Sequence, residues 1–411
     1  MQNSEILIGR DIVIVGQQGW DTEIGSNSKN LAKEFCKNNR VLYINPALDR
    51  KSRYVEKKDP KILKRIRVVK GLDEGLFFHQ ENLWSLSPDK IIESINWISN
   101  KPLHNLLNKL NNKRFASCIK KTIKQLGFKN IILFNDNDIF RCFYLKEMLM
   151  PDISIYYCRD YMLGVNYWAH HGKKLEPQLI AKSYFCVANS TYLTNYCKKY
   201  NPASYYIGQG CEPEMFKIID DKDIPNDMIH LISKPIIGYV GALNILRLDI
   251  DIIEHIAKAY PAYNIVLVGR EDEYFLKCKL HLLPNIYFLG PKEMNDLPRY
   301  INAFDVCINP QKFNEVTIGN YPLKIDEYLA LGKPIVAKFT DGMKSFSDFT
   351  YLAETKEDFV QMIEIALQED SADLKKERQK FVSTHTWENC VKEIYTIINN
   401  KTIQPTTELT N

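Results

Sequence analysis

The sequence has no apolar run long enough to cross a membrane and no pair of cysteines at the spacing of a metal site. Its longest apolar stretches, such as residues 236–246, are interrupted by Gly and Asn and are much shorter than the ~20 residues of a transmembrane helix. The N-terminal residues lack a basic segment followed by an apolar one, which predicts no secretion signal. Ten cysteines without a Cys-x-x-Cys pair indicate reduced thiols in a cytoplasm and argue against a zinc site or a disulfide framework.

The composition predicts a soluble globular protein with two domains, because 411 residues with 45% hydrophobic and 25% charged residues exceed one ordinary core. The charge is unevenly spread: residues 1–208 hold 32 Lys and Arg against 19 Asp and Glu, whereas the remainder is acidic. Residues 50–70 and 99–129 hold much of the excess. A basic half favours an anionic partner, either a lipid headgroup surface or nucleic acid, and a solvated charged face accounts for it equally well.

A strand, a glycine turn and a helix open the chain. Residues 11–16 form an apolar run, Gly16 and Gly19 follow in a turn, and residues 28–37 have helical spacing. This order predicts a Rossmann-like unit. The glycines do not form Gly-x-Gly-x-x-Gly, and the next strand, residues 41–44, is not followed by a ribose-binding acid, which argues against a dinucleotide dehydrogenase.

Two further strands, residues 130–134 and 153–157, are followed by polar residues. Ligands of open parallel sheets bind beyond the carboxyl ends of the strands, so Asp160 is the first candidate for a functional side chain in this half. A salt bridge to Arg159 is the structural alternative. Before these strands, residues 89–98 are predicted to be helical, with an isoleucine stripe and Trp97 that fit a core better than a membrane surface.

The architecture restarts at residue 235. An apolar strand ends at Gly241, which is predicted to precede a helix, so that a phosphate can approach its backbone closely. Strands over 265–269, 286–290 and 306–309 follow. The second half is therefore predicted to be a second Rossmann-like domain.

Residues 319–337 form the most informative segment. Pro322 suits the first turn of a helix that Gly332 ends, and a short strand follows. Lys324 and Glu327 lie one turn apart on this helix. A helix N-terminus holds a phosphate well, Lys324 would add a full charge, and Glu327 would accept hydrogen bonds from a sugar or ribose hydroxyl.

The pattern Pro-Leu-Lys-x-x-Glu-Tyr-Leu-Ala-x-Gly-Lys-Pro-Ile-Val, residues 322–336, resembles the donor-site signature of GT-B glycosyltransferases near family 4, in the subgroup that builds bacterial surface polysaccharides. The resemblance implies an α/β fold in which two Rossmann-like domains with parallel sheets face each other across a cleft. It implies an acceptor-binding domain over 1–210, a nucleotide-sugar-binding domain over 211–385, a helix over 386–400 that crosses back to the first domain, and a disordered tail over 401–411.

The resemblance also implies roles for individual residues. Glu327 would bind the ribose of the donor, while Arg247 and Lys324 would stabilise the departing diphosphate, with Asp160 as the catalytic candidate of the first domain. The other donor-binding candidates are Gly241, Asn244, Gly269, Arg270, Leu289, Gly319, Asn320 and Leu323, and the acceptor-side candidates are Gly16, Gly19 and His170. Position 319 is Gly where many relatives have a second glutamate.

The implied activity is transfer of a sugar from a nucleotide-sugar, with a UDP-sugar favoured, to a saccharide or lipid-linked acceptor in surface polysaccharide biosynthesis. The anomeric configuration would be retained. No metal or other cofactor is expected, since Asn135–Asp138 and Asp249–Asp251 are only near matches to Asp-x-Asp. The expected location is the cytoplasm, with peripheral contact to the anionic inner face of the membrane and no nucleic acid partner.

Two alternatives remain open. A nucleotide-sugar epimerase of the same fold would need no acceptor. A non-catalytic protein that binds a nucleotide-sugar or a lipid is suggested by the glycine at position 319.

Overall fold

A computed structural model describes residues 6–22, 26–211, 215–216 and 223–403. The chain divides into two compact units: residues 1–208 with 387–411 form the first, and residues 209–386 form the second. Residues 1–5, which carry the prediction about a secretion signal, and residues 404–411 of the predicted tail lie outside the described residues. Residues 401–403, predicted to belong to that tail, are the end of the last helix.

The first unit is built on an eight-stranded sheet in the order β3-β4-β2-β1-β5-β6-β7-β8. All neighbours are parallel except β3 and β4. The strands are β1 (Asp11–Val15), β2 (Arg40–Ile44), β3 (Leu76–Gln80), β4 (Leu83–Leu86), β5 (Ile131–Asp136), β6 (Ile153–Cys158), β7 (Phe185–Ala188) and β8 (Ser204–Tyr206). Strands β1, β5 and β6 lie at the centre, and burial on both faces explains their apolar runs.

The described part of this unit has eight α-helices: α1 (Asn27–Phe35), α2 (Arg50–Val55), α3 (Pro60–Val69), α4 (Lys101–Leu126), α5 (Leu145–Leu149), α6 (Asn166–Lys182), α7 (Thr191–Lys198) and α13 (Trp387–Ile403). Helix α4 begins at the cap Asn100, whose side chain accepts from the Leu103 N–H, and ends at Gly127 in the left-handed region. Helix α13 packs on α1, where Asn39 donates to the Tyr395 hydroxyl at 2.8 Å.

The predicted helix over residues 89–98 is not formed. The backbone of Ile92 instead forms hydrogen bonds with that of Leu48 and Arg50. This pairing keeps the segment extended up to a turn at residues 96–97. Ile92, Ile95 and Ile98 are core residues, as the core interpretation of the stripe requires, whereas 78% of the Trp97 surface is exposed. The buried isoleucines therefore keep helix-like spacing in a segment that is not helical and has one turn, at residues 96–97.

The second unit has a six-stranded sheet, parallel throughout, in the order β11-β10-β9-β12-β13-β14. Its strands are β9 (Ile236–Val240), β10 (Asn264–Val268), β11 (Ile286–Gly290), β12 (Val306–Asn309), β13 (Ile335–Lys338) and β14 (Tyr351–Ala353). Its helices are α8 (Ile250–Ala259), α9 (Leu297–Asn302), α10 (Leu323–Ala330), α11 (Lys356–Glu369) and α12 (Ala372–Val382). The prediction of two α/β, Rossmann-like domains is confirmed, while a cleft between facing sheets stays a prediction.

Candidate active site

Two glycines shape the carboxyl ends of β9 and β10. Gly241 has φ +143° and Gly269 has φ +153°, conformations that L side chains rarely adopt. A Cβ on Gly269 would lie 1.8 Å from the Gly241 carbonyl oxygen, so the two turns are in direct backbone contact. The expected helix does not follow Gly241 directly, because residues 242–249 form a loop with a turn at residues 245–247, and α8 begins only at Ile250.

Lys324 lies over the end of β9. Its Nζ donates to the Tyr239 hydroxyl at 2.6 Å and lies 4.3 Å from the centre of the Tyr239 ring. A Cβ on Gly241 would be 3.1 Å from the same Nζ. The structure thus brings Lys324, Gly241 and Gly269 together. Within the described part of the chain, no carboxylate forms an ion pair with Lys324.

Glu327 follows one turn later on α10 and is half-buried. Burial raises the pKa of this carboxyl to about 7, while the nearby charge of Lys324 acts to lower it. Its oxygens make no hydrogen bond or ion pair with any residue whose placement the structure describes. They are therefore available to accept a hydrogen bond from a ligand hydroxyl, and the ionised and protonated forms are both populated near neutral pH.

The ends of α10 differ slightly from the predicted ones. Pro322 is the N-cap, with φ −83° and ψ 85°, and not a residue of the first turn, because the helix begins at Leu323. Gly332 ends it with φ +71°, and a Cβ there would lie 2.3 Å from the Cγ of Lys375.

Arg247 stands on a turn that Asn244 closes. The Asn244 side-chain oxygen accepts from the Leu246 N–H, and its carbonyl accepts from the Arg247 N–H. The Arg247 carbonyl accepts from the Lys312 N–H, which ties this turn to the loop that precedes α10. The Arg247 side chain is exposed, and among residues 6–22, 26–211, 215–216 and 223–403 it has no ion-pair partner.

The remaining donor candidates are more dispersed. Arg270, just after β10, is exposed, while its carbonyl accepts from the Leu243 N–H. Leu289 and Leu323 pack partly into the core. Gly319 is buried, and the Asn320 N–H donates to the Thr317 carbonyl. Gly319 and Asn320 therefore form part of a compact loop before α10.

In the first unit, Asp160 belongs to a buried charge cluster. Arg159 donates to Asp136 at 2.7 Å and to Asp160 at 2.6 Å, and Asp136 is fully buried. The Gln17 N–H, next to Gly16, donates to Asp136 at 3.3 Å. The structure thus brings the first glycine turn and Asp160 to the same strand ends, and it forms the salt bridge that was the structural alternative for Asp160.

Packing explains one glycine of the first turn. A Cβ on Gly16 would lie 2.0 Å from the hydroxyl of fully buried Tyr43, so this contact accounts for Gly16 without a ligand. A Cβ on Gly19 would lie 2.3 Å from Asp21 Oδ1, the end of a side chain that can move away. Their role on the acceptor side stays a prediction.

His170 lies on α6 beside a cavity of about 560 Å³ in the first unit. The cavity is also lined by aromatic and charged residues, among them Trp97, Tyr167, Trp168, Phe140, Asp138 and Arg141. Asp138 and Arg141 form an ion pair. His170 therefore borders this cavity, and the exposed aromatic side chains of Trp97 and Tyr167 form part of the same wall.

Within the described ranges, no three His, Cys, Asp or Glu side chains are arranged to hold a metal ion. Asp249, one of the residues in the near matches to Asp-x-Asp, caps α8 through the N–H groups of Asp251 and Ile252. In the same ranges, no helix has the length and apolar character needed to cross a membrane.

Residues 234–369 match the family model of glycosyl transferases group 1. The second unit carries a glycosyltransferase domain. The match confirms the prediction of a glycosyltransferase domain that was made from the motif of residues 322–336. The family model covers the strand ends of β9 and β10, the Arg247 turn and α10, so the geometry described above belongs to the matched region.

Similar proteins agree with this assignment. The chain is 27% identical over 233 residues to TuaH of Bacillus subtilis (strain 168), named as a putative teichuronic acid biosynthesis glycosyltransferase, and the match covers 53% of this chain and 57% of that protein. The chain therefore spans little more than half the length of this curated relative.

Two solved structures share the fold. Sucrose-phosphate synthase from Thermosynechococcus elongatus has a TM-score of 0.68 at 15% identity, covering 96% of this chain and 99% of that one. Anabaena HepE in complex with UDP-glucose has a TM-score of 0.63 at 14% identity, covering 96% and 100%. At such low identity, the likeness establishes the GT-B fold alone.

The glycosyltransferase domain also contains a buried acid that the sequence did not reveal. Asp326, next to Glu327, is fully buried, and it accepts from the Tyr321 hydroxyl at 2.8 Å and lies 2.8 Å from His385 Nδ1. Burial raises the pKa of Asp326, and its contacts with His385 and Tyr321 act to lower it. This cluster joins α10 to the loop before it and to the last residues of the unit, so it positions Lys324 and Glu327 indirectly.

Tyr239 is the second residue that sequence reasoning missed. It lies inside a strand whose pattern indicates only burial, and its contact with Lys324 spans 85 positions. An aromatic side chain at the carboxyl end of a parallel strand is the one signal that could have pointed to it.

Proposed function

We propose that this protein transfers a sugar from a nucleotide-sugar, with a UDP-sugar favoured, to a saccharide acceptor carried on a lipid, in the synthesis of a cell-surface polysaccharide. Retention of the anomeric configuration, independence of metal and other cofactors, and action in the cytoplasm at the inner face of the membrane belong to the proposal. Teichuronic acid biosynthesis in the name of TuaH supports a role in polysaccharide synthesis, and the UDP-glucose bound to HepE supports the donor class.

The proposal rests on two cations of the second unit, Lys324 and Arg247, which form no ion pair with the described residues. Lys324 is held beside the Gly241 turn, at the end of a parallel strand, and no carboxylate of the described residues pairs with it. A diphosphate that leaves a sugar develops negative charge, and preorganised cations and backbone N–H groups are the means by which enzymes stabilise such charge. The glycine turns leave the backbone open to close approach. Arg247, likewise unpaired within the described ranges, supplies a second cation on a turn anchored to the loop before α10.

Glu327 would recognise the sugar or ribose part of the donor. Its carboxylate has no partner in the described structure, and a half-buried acceptor of this kind is satisfied by a ligand hydroxyl. The pKa of about 7 means that donor binding through the carboxylate should strengthen as the pH rises through neutrality.

On the acceptor side, Asp160 stays the proposed catalytic residue of the first unit. Arg159 holds it against fully buried Asp136, yet 34% of the Asp160 side chain is exposed. The exposed edge is the part of this cluster that can contact a substrate.

A donor screen followed by one matched pair of variants tests the proposal. UDP-sugars and other nucleotide-sugars are ranked by thermal stabilisation, and release of the nucleoside diphosphate is then measured with a lipid-linked saccharide acceptor. Lys324→Met should lower kcat/KM about 10²- to 10³-fold, because one charge-stabilising donor contributes about 3–4 kcal/mol. The control is Lys277→Met, at an exposed lysine of the same unit.

Three outcomes would contradict the proposal. Equal activity of the Lys324→Met and Lys277→Met variants would show that Lys324 is not part of the active site. Isomerisation of the donor in the absence of any acceptor would identify an epimerase. Donor binding without release of nucleoside diphosphate, with every acceptor offered, would identify a binding protein.

A further inference from the structure

The cavity of about 560 Å³ beside α6 has the size of an ordinary small-molecule site, for which ~300–1,000 Å³ is typical. It lies at the carboxyl ends of β2 and β5, because Pro46 and Ala47, which follow β2, and Asp138, which follows β5, line it. All of its lining residues belong to the first unit. The cavity therefore occupies the edge at which open parallel sheets bind their ligands.

Hydrogen bonds connect the wall of this cavity to the candidate catalytic residue of the unit. Arg141, which lines the cavity, donates to the Gln17 side-chain oxygen at 3.4 Å, and the Gln17 N–H donates to Asp136 at 3.3 Å. Asp136 is the acid that Arg159 joins to Asp160. The cavity wall and Asp160 therefore belong to one connected group of side chains at these strand ends.

Aromatic rings of fixed orientation form another part of the wall. Trp97 is 78% exposed, yet its indole N–H donates to the Ser94 carbonyl at 2.8 Å. Trp168 stacks on Phe140, with the ring centroids 5.3 Å apart and the planes 6° from parallel. Tyr167 stands edge-on to Trp168 and is 58% exposed. Exposed rings that are held in place are suited to pack against the flat apolar face of a ligand.

One buried amide presents a hydrogen-bond donor to the cavity. Asn108 is 3% exposed, lines the cavity, and accepts from the Asn112 side chain at 3.2 Å. Its own side-chain nitrogen donates to none of the described residues and is not enclosed by them, so it faces the cavity. In Asn111, by contrast, both polar side-chain atoms bond to the backbone of Glu93. A donor left open in a buried residue is satisfied by a ligand oxygen.

The charges of the wall argue against an anionic ligand. Glu93 pairs with Arg50 at 2.6 Å and with Arg114 at 2.8 Å, and Asp138 pairs with Arg141. The charged residues that line the cavity are Asp49, Lys51, Glu56, Glu93, Asp138 and Arg141. Acids thus outnumber bases in the described lining, although residues 1–208 are basic overall. An uncharged ligand fits this wall better than an anion does.

We infer that this cavity binds an uncharged sugar ring of the acceptor. A sugar ring has C–H faces that pack on aromatic rings, and hydroxyl oxygens that accept hydrogen bonds from groups such as the Asn108 amide. The identification of this sugar as part of the acceptor rests on the proposed transferase function. Binding of the sugar can be measured without a donor.

Three variants test the inference. Trp97→Ala removes the most exposed ring of the wall. Phe78→Ala is its control, because Phe78 is an aromatic side chain of the same unit, is 66% exposed and does not line the cavity. Both rings are mostly exposed, so these two variants should unfold at nearly the same temperature as the parent. Asn108→Asp keeps the oxygen that accepts from Asn112 and replaces the open donor by a carboxylate oxygen.

Binding is measured by nuclear magnetic resonance titration in the absence of any nucleotide-sugar. The uncharged probes are the methyl glycosides of glucose, galactose and N-acetylglucosamine, and glucuronate is the charged probe. At least one uncharged probe should bind the parent. Trp97→Ala and Asn108→Asp should each weaken this binding about ten-fold, and Phe78→Ala less than about two-fold. Trp97→Ala alone decides the test if Asn108→Asp fails to fold.

Three results would overturn the inference. No probe binds the parent up to its solubility limit, Trp97→Ala and Phe78→Ala bind alike, or glucuronate binds more tightly than every uncharged probe. In the transfer assay, Trp97→Ala should raise the KM for the acceptor about ten-fold and leave the KM for the nucleotide-sugar unchanged. A parent that binds an uncharged glycoside and releases no nucleoside diphosphate would contradict the proposed function and leave the sugar site in place.

Discussion

The two sheets differ in whether the cations near the carboxyl ends of their strands are paired with acids. In the second unit, Lys324 and Arg247 lie near strand ends with no carboxylate partner in the part of the chain that the structure describes. In the first unit, Arg159 is paired with Asp136 and Asp160, and Arg141 is paired with Asp138. Two α/β units of the same general plan therefore offer an incoming anion very different environments.

The difference indicates which unit is built to hold a diphosphate. An unpaired cation in a half-buried position gains most from an anionic ligand, whereas a cation already paired with a buried acid has its charge neutralised. The ion pairs of the first unit instead stabilise the fold, and Arg159 keeps Asp160 in place. Removing a cation from each unit should thus have different consequences, which the first two of the following experiments compare.

The largest effect is expected on the stability of the first unit. Arg159→Met leaves the fully buried Asp136 without its partner, which should lower the free energy of unfolding by about 3 kcal/mol. Urea denaturation followed by circular dichroism measures this change. Arg67→Met, which breaks the exposed pair with Asp73 in the same unit, should leave the unfolding midpoint nearly unchanged. UDP affinity at low urea should stay the same in both variants, and a loss of affinity in Arg159→Met would contradict the contrast.

A smaller effect is expected on donor affinity. Arg247→Gln should weaken UDP binding about ten-fold, because a charge-assisted hydrogen bond to phosphate contributes about 1.5 kcal/mol. Isothermal titration calorimetry with UDP gives the dissociation constant directly. Arg141→Gln is the matched control, since it removes a paired arginine from the first unit. Equal weakening by the two variants would show that the paired and unpaired cations do not differ in function.

The smallest effect concerns the pH dependence caused by Glu327. Its pKa is about 7 in the folded state against 4.5 for the free side chain. Between these two pH values, the folded state therefore keeps a proton that the unfolded chain has already lost. The full difference in pKa would correspond to ~3.4 kcal/mol, but solvent screens a half-buried carboxyl. Stability should therefore fall by about 1 kcal/mol as the pH rises from about 4.5 to 7, and then level off. Thermal melts of Glu327→Gln against the parent at pH 5, 6, 7 and 8 should show this component only in the parent.

The same group should act on the donor. Because the carboxylate is the better acceptor, the KM for the nucleotide-sugar should fall about five-fold between pH 6 and 8 in the parent. It should stay flat in Glu327→Gln. If the KM changed with pH in the same way in the parent and in Glu327→Gln, Glu327 would not be a donor-binding residue.

Much of the fold could be predicted from local sequence patterns. Short runs rich in β-branched residues, such as Ile265 to Val268, predict strands because burial on both faces requires continuous apolar sequence. Gly241, Gly269 and Gly332 mark turns that need positive φ, and α10 follows its periodic residues. The helix predicted over residues 89–98 failed, because the backbone pairing of Ile92 with the neighbourhood of Asp49 overrides its local preference.

The sequence by itself determined that the chain has two α/β units and a glycosyltransferase motif, since strand, turn and helix preferences and the order Lys324, Glu327, Gly332 depend on neighbouring residues. Only the tertiary structure decided which charges are paired. The contacts of Lys324 with Tyr239, of Arg159 with Asp136 and of Asp326 with His385 span 85, 23 and 59 positions. Such contacts depend on the order of strands in each sheet and on which side chains lose water together, and neither is encoded in the spacing of residues within one segment.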